Sequence, residues 1–200
     1  MHLARLTLDL RNARARRDLA DAYDMHRSLV RAFATDGNGT PPRFLWRLEP
    51  ESAWREPVVL VQSNHEPDWS AFPMPGYLQK TIEAKTVDLN DVLVTDRRYR
   101  FRLFANPTVT QRGKRYGVAN ENDQLDWLGR QGHKAGFTVD TALVTSTNVL
   151  GVRGGKICLR QACFEGILSV VEPSSLRATI ERGIGPGKAF GLGLLSVSPC

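Results

Sequence analysis

Leu6, Leu8 and Leu10 alternate with Thr7 and Asp9 near the start of the chain, the period of two expected of a half-buried strand, which is placed at 2–9. Beyond Arg14, Arg16 and Arg17 the period changes. Ala22, Met25, Leu29 and Phe33 fall on one side at about 100° per residue, predicting an amphipathic helix over 18–34. Asp21 and Asp24 suit the positive end of that helix, since carboxylates there accept from free N–H groups. The run Thr35, Asp36, Gly37, Asn38, Gly39, Thr40, Pro41, Pro42 predicts the loop that stops it. Strands are expected at 43–48 and 57–62, a short helical or irregular piece at 68–78, and a strand at 81–87.

The pattern then repeats. Tyr99, Phe101 and Leu103 alternate with Arg100, Arg102 and Phe104, which predicts a half-buried strand over 99–105 with arginines on its other face. A helix over 120–130 with Leu125 and Leu128 inward is expected to end at Gly132. Strands follow at 138–144 and 149–152, and Gly154-Gly155 reads as a two-residue hairpin turn flanked by Arg153 and Lys156. Pro173, Ser174 and Ser175 open a last helix with Gly183 just past its end, and 189–197 closes the chain as a strand. The order β-α-β-β-(α)-β, read twice, predicts an α+β protein of two tandem ferredoxin-like (βαββαβ) domains, 1–90 and 91–200.

Charge sharpens the picture. Net charge is +6, and the 27 basic residues are 21 Arg and 6 Lys. A guanidinium fork matches phosphate geometry where an ammonium is only a point charge. The charge is also segregated: +4 over residues 1–48, −6 over 49–96, +8 over 97–160 and zero over 161–200. Such electropositive stretches point to nucleic acid or another polyanion, and the acidic segment is expected to face protein partners, because it would repel phosphate. No apolar run reaches the roughly 18 residues of a membrane span. The N-terminus lacks the apolar core of a secretory signal, and the odd cysteine count, Cys158, Cys163 and Cys200, fits a reducing cytoplasm. Cysteines and histidines show no zinc spacing, Gly-x-Ser-x-Gly is absent, and His65 and His133 read as loop residues.

Two segments carry candidate chemistry. On the 18–34 helix, Tyr23 and His26 are i, i+3 neighbours whose polar ends can converge on one target, with Arg27 and Arg31 in an i, i+4 row beside them. A phenol, an imidazole and two permanent cations suit cleavage of RNA by its own 2′-hydroxyl. One group takes the 2′ proton, one protonates the 5′-oxygen, and cations stabilise the phosphorane without a metal or cofactor. A boundary histidine is more often structural, so the residues alone leave both readings open. The second segment is the glycine loop 183–193. Gly185 and Gly187 can bring backbone N–H groups close to a phosphate and Lys188 can add charge, although the same glycines serve equally for a tight turn and close packing. Arg182, Ala189 and Phe190 stand where a Walker loop or a dinucleotide fingerprint would need Gly, Ser/Thr or Gly.

The opening strand, the run from Arg16 to Arg27, Arg43-Phe44-Leu45-Trp46-Arg47-Leu48-Glu49, Val58 to Ser63 followed by Pro67-Asp68-Trp69, Arg100 to Leu103 with Ala105-Asn106-Pro107, and Gly183 to Pro199 together resemble the CasE family of CRISPR repeat-processing endoribonucleases. The resemblance spans almost the whole chain. It implies two ferredoxin-like domains and metal-independent cleavage of precursor CRISPR RNA at the base of each repeat stem-loop, leaving a 2′,3′-cyclic phosphate or its opened form. The product is then expected to stay bound in the type I-E Cascade complex among the other Cascade subunits. It implies His26 as proton donor or acceptor with Tyr23 near the 2′-hydroxyl, and Arg27 and Arg31 as phosphate contacts. A basic hairpin in the second domain, here Arg153, Lys156 and Arg160, is expected to read the stem, although it looks short. Contact of RNA with Lys188 or the loop amides is also implied. A non-catalytic RNA-binding or scaffolding subunit of the same fold is the alternative.

Overall fold

The computed structural model describes residues 1–34, 40–50, 56–72 and 75–200. Residues 35–39 of the loop expected after the first helical stretch lie outside the described residues. Two four-stranded antiparallel sheets divide the strands. The first holds β1 (His2–Thr7), β2 (Phe44–Leu48), β3 (Val58–Ser63) and β4 (Glu83–Thr86) in the order β2-β3-β1-β4. The second holds β5 (Arg98–Ala105), β8 (Phe137–Val152), β9 (Ile157–Val170) and β10 (Leu195–Pro199) in the order β10-β5-β9-β8. Numbered within its own sheet, each reads 4-1-3-2, the ferredoxin-like arrangement that the periodicity predicts. Between β5 and β8 lies a small separate hairpin, β6 (Thr108–Gln111) and β7 (Lys114–Gly117).

The stretch 18–34 is not one helix. Asn12 caps α1 (Ala13–Ala20), its side-chain oxygen accepting from the N–H groups of Arg14 at 2.9 Å and Ala15 at 3.1 Å. The chain then extends at Asp21 (φ −139°, ψ 116°) and restarts as α2 (Ala22–Val30), because the Asp21 carboxylate accepts from Tyr23 N–H at 2.9 Å and caps a new helix. Asp18 is therefore no helix-start residue. It is 1% exposed, and its carboxylate accepts from Ser28 Oγ of α2 and from the Tyr77 hydroxyl at 2.8 Å, while Arg17 pairs with it at 2.8 Å. This buried carboxylate fixes α1 against α2, and Met25, Leu29 and Phe33 then pack over Leu6, Val59 and Val61 of the first sheet.

Further expectations change. A single helical turn, α3 (Leu89–Val92), leads from the first sheet to the second. The longer second-domain helix α4 (Glu121–Ala135) runs through Gly132 and stops at Gly136, the residue in the left-handed conformation at φ +80°. Gly132 is small because Phe137 lies against it, a Cβ there falling 2.8 Å from the ring, and His133 belongs to the last helical turn. The strands expected at 138–144 and 149–152 are the single strand β8, with register shifts between Val139 and Thr141 and between Val144 and Ser146. Its partner β9 is nearly as long, so the hairpin is extended, and its turn is residues 153–156 rather than two glycines, since Val152 pairs with Ile157. After α5 (Pro173–Arg182), residues 183–194 form a compact loop with one 3-10 turn, and β10 begins only at Leu195.

The open face of the first sheet meets the second domain through polar side chains in an apolar setting. Arg47 of β2 is 2% exposed. Its guanidinium donates to the carbonyls of Arg102 at 3.2 Å and Leu194 at 3.3 Å, to Ser196 Oγ at 3.1 Å, and to Glu49 at 2.7 Å. Glu49 and Glu165 in turn each hold Arg102 at 2.8 Å. Gln62 of β3 donates to the Ile180 carbonyl at 2.6 Å. Among the described residues no helix is long and apolar enough to cross a membrane.

Truncating Arg47 strips partners from two buried carbonyls and leaves Glu49 with one cation fewer. Arg47→Ala is expected to lower the free energy of unfolding by about 3 kcal/mol. Urea unfolding measures it, and a loss well under 1 kcal/mol would mean that the guanidinium is dispensable to the interface.

Candidate nucleic-acid interface and active site

The Asp21 cap places Tyr23 in the first turn of α2 and His26 one turn on. Tyr23 is half-buried beneath two cations from different domains: the Arg27 guanidinium carbon lies 5.7 Å from the phenol centroid and that of Arg153 lies 5.0 Å away. Cations over an aromatic face are held by its quadrupole, and both remain exposed for a further anionic partner. Asp24 sits 3.5 Å from Arg27 and 3.8 Å from Arg17, so the helix start balances part of its own charge.

His26 packs its ring on Phe44 of β2 at 5.1 Å and 22°, and Phe44 stacks on Phe33 at 4.4 Å and 7°. The imidazole is half-buried rather than sealed. Its Nδ1 is enclosed without a hydrogen-bond partner among the described residues, and desolvation holds its pKa below the ordinary 6.5. A neutral ring at pH 7 with one enclosed nitrogen is suited to exchange protons through the other.

Arg27 and Arg31 also line a groove of 710 Å³ with Arg14 and Arg17 across the α1–α2 pair. Sequence spacing groups only the two on α2, since nothing in a single-helix picture brings 14 and 17 beside 27 and 31. Arg153 occupies the β8–β9 turn with φ +55°, followed by Gly154 and Gly155 at φ +64° and +83°. Lys156 is exposed in the same turn. Arg160 stands four residues on, its stem lying against β7 so closely that a Cβ on Gly117 would fall 2.9 Å from it.

That contact reveals a second basic hairpin. β6 and β7 turn at Arg112 (φ 49°) and Gly113 (φ 76°), and Arg112, Lys114 and Arg115 are all exposed. A groove of 290 Å³ separates the two hairpins, flanked by Arg115 and Arg160 and floored by Asn106. The sequence carries a signal for it: the β-branched run Thr108-Val109-Thr110 and the aromatic Tyr116 flank a short break in which Gly113 tolerates positive φ.

The glycine loop lies at the domain junction. Gly185 packs on Trp127, Gly187 starts the 3-10 turn at φ +92°, and Gly191 (φ +78°) meets Trp46 so closely that a Cβ would fall 3.0 Å from the indole. Trp46 donates its ring N–H to the Ala189 carbonyl at 3.3 Å, and the 188–190 turn packs against both β2 and α2. Lys188 points inward: its ammonium donates to the Gly185 carbonyl at 2.6 Å, and burial, with Arg43 nearby, lowers its pKa. Lys188 thus ties the loop closed on the helix that carries Tyr23 and His26.

Comparison with known proteins agrees in sequence and in fold. A family model described as CRISPR associated protein matches residues 1–199. The chain is 40% identical, over all of both chains, to the CRISPR-associated endoribonuclease Cse3 of Thermus thermophilus. It is 27% identical to the CRISPR system Cascade subunit CasE of Escherichia coli, over 90% of this chain and 92% of that one. A structure of CRISPR endoribonuclease Cse3 bound to 19-nucleotide RNA superimposes with a TM-score of 0.90 at 38% identity, covering all of both chains. With its sequence matched from end to end and its fold shared, this chain belongs to the CasE family of CRISPR-associated proteins.

Proposed function

We propose that this chain is the endoribonuclease that cleaves precursor CRISPR RNA at the base of the repeat stem-loop, with Tyr23 and His26 at the reacting ribose. The observation that carries this reading is the phenol of Tyr23 beneath Arg27 and Arg153, one turn from an unsealed imidazole. A scissile phosphate drawn between these cations meets both proton-handling groups of α2. The 2′-oxygen attacks phosphorus and surrenders its proton, the bond to the 5′-oxygen breaks, and that oxygen receives a proton. The products are a 2′,3′-cyclic phosphate and a 5′-hydroxyl, and neither step requires a metal. Imidazole is the side chain that exchanges protons near neutral pH, so His26 moves the proton and Tyr23 orients the ribose.

Around this centre, Arg27 and Arg31 hold backbone phosphates, and Arg153, Lys156 and Arg160 with the second hairpin at 108–117 hold the stem. The relatives' names supply the setting. One is an endoribonuclease with an RNA-bound structure and another a Cascade subunit, so the mature RNA and the other Cascade subunits are the partners expected here. Stem contacts outlive cleavage of one bond, which is why the product remains bound. The exposed Glu66, Asp68, Asp88 and Asp91 of the acidic segment are the residues we assign to protein partners. A cytoplasmic location suits three free cysteines.

Cleavage of a repeat RNA in excess EDTA tests the whole reading, with a 2′-deoxy substitution at the cut site expected to abolish it. RNA bound but left intact would make the chain a scaffold instead. His26→Ala is expected to bind RNA nearly as tightly while cleaving at least about 10²-fold more slowly; unchanged single-turnover cleavage removes His26 from the chemistry. Lys156→Ala and Arg160→Ala are expected to weaken binding and flatten its salt dependence by about one counterion each; an unaltered salt slope would place both outside the interface.

Burial of His26 also has a pH signature in the RNA-free protein. Because its folded pKa lies below the unfolded value, the unfolded chain takes up a proton first. The stability from keeping the ring neutral is present above pH 6.5 and is lost as pH falls through the lowered folded value. Urea unfolding between pH 7.5 and 5 is expected to show a steeper loss for the wild type than for His26→Asn, and parallel curves would contradict a buried, neutral imidazole.

A further inference from the structure

The Asp21 carboxylate has two oxygens and uses them on two domains. One accepts from Tyr23 N–H at 2.9 Å and starts α2; the other accepts from Gly154 N–H at 3.1 Å, in the turn of the β8–β9 hairpin, 133 residues away. Partial burial raises its pKa, but N–H donors from Tyr23, Arg153 and Gly154 outweigh this and hold the group below the usual carboxylate range, so it is ionised wherever RNA is handled. Next to Gly154 is Arg153, a non-glycine residue at φ +55° whose guanidinium lies 5.0 Å from the Tyr23 ring. A β-carbon is disfavoured in that region, so the turn holds its shape only where neighbouring contacts impose it.

We propose that Asp21 is a positioning residue that latches the hairpin turn of the second domain to the N-terminus of the catalytic helix, so that Arg153 is held over Tyr23 before RNA arrives. The inference rests on the assignment of Tyr23 and Arg153 to the cleavage site and adds a coupling to it. The β8–β9 strands are held near their tip by Val152, fully buried beside the turn, and by Leu150 and Leu159 on Phe104 and Leu192, but apolar packing leaves the turn backbone itself to be set by a directional contact. Asp21 is the anchor that also defines where Tyr23 begins, so one carboxylate sets the distance between the two halves of the site. Its negative charge beside the RNA path weakens phosphate attraction, a cost that only an organising role offsets.

Asp21→Asn and Asp21→Ser separate the two jobs. Both residues cap helices well, so α2 and the thermal midpoint are expected to persist. Asn presents at most one acceptor, and Ser is too short to reach Gly154 while capping. Each variant is expected to bind repeat RNA at least as tightly as the wild type, having lost a negative charge, yet to cleave about tenfold more slowly in single turnover. Arg153→Gly, which fits the turn, is expected to slow cleavage by a similar factor, and the Asp21→Ser/Arg153→Gly double variant no further than the slower single variant. Amide exchange in the RNA-free protein gives a readout independent of activity: Gly154 N–H is expected to be protected in the wild type and exposed in Asp21→Ser. Fully additive losses, faster cleavage by Asp21→Asn, or an unprotected wild-type Gly154 would overturn the latch. A wild type that cuts no repeat RNA would instead overturn the cleavage assignment, while Gly154 exchange would still report on the contact.

Discussion

The Arg47 guanidinium, nearly sealed between the two sheets, reaches two main-chain carbonyls, one hydroxyl and one carboxylate at once. Burial alone pushes its charge toward neutrality, and Glu49 opposes that. Two ferredoxin-like units joined by apolar contact alone would have little to fix their mutual orientation, whereas a planar fork with directional partners admits one arrangement. The candidate site requires this, because its phenol and imidazole come from the first unit and Arg153 from the second. Gln62 on Ile180 and Trp46 on the glycine loop reinforce the same junction from β3 and β2.

Periodicity reveals the architecture but not its interruptions. The apolar stripe from Ala22 to Phe33 is real, yet α1 before it is short and rich in arginine, its apolar side reduced to Ala15 and Leu19, so the break at Asp21 leaves no mark in the pattern and Asp18 reads as a helix start. What distinguishes Asp18 is burial against Ser28 and Tyr77, a tertiary fact that no local spacing encodes. Ser146, Thr147 and Asn148 read as a gap between strands because they are polar; in the fold they are the solvated middle of a continuous β8. Alternation of Phe190, Leu192 and Leu194 with glycines mimics a strand, but Gly191 and Gly193 at positive φ fold that segment back on the first domain.

The candidate site is legible in part for the same reason. Tyr23, His26, Arg27 and Arg31 share one short helical stretch, so spacing suffices to group them. Arg153 joins them through a fold-back of more than a hundred residues, and only family resemblance points to it. Lys188 looks like a phosphate ligand by composition, yet its ammonium closes the glycine loop. The charge segregation along the chain is likewise reshaped by folding: Glu49 of the acidic segment is drawn inward between Arg47 and Arg102, and Glu83 pairs with Arg5 across neighbouring strands.

The enclosed Nδ1 of His26 limits how the ring can exchange protons. With Phe44 against the ring and that nitrogen walled off, the imidazole has a single doorway for protons, so whatever it accepts must depart by the way it came. Any proton the ring takes up or gives off therefore crosses that one open edge.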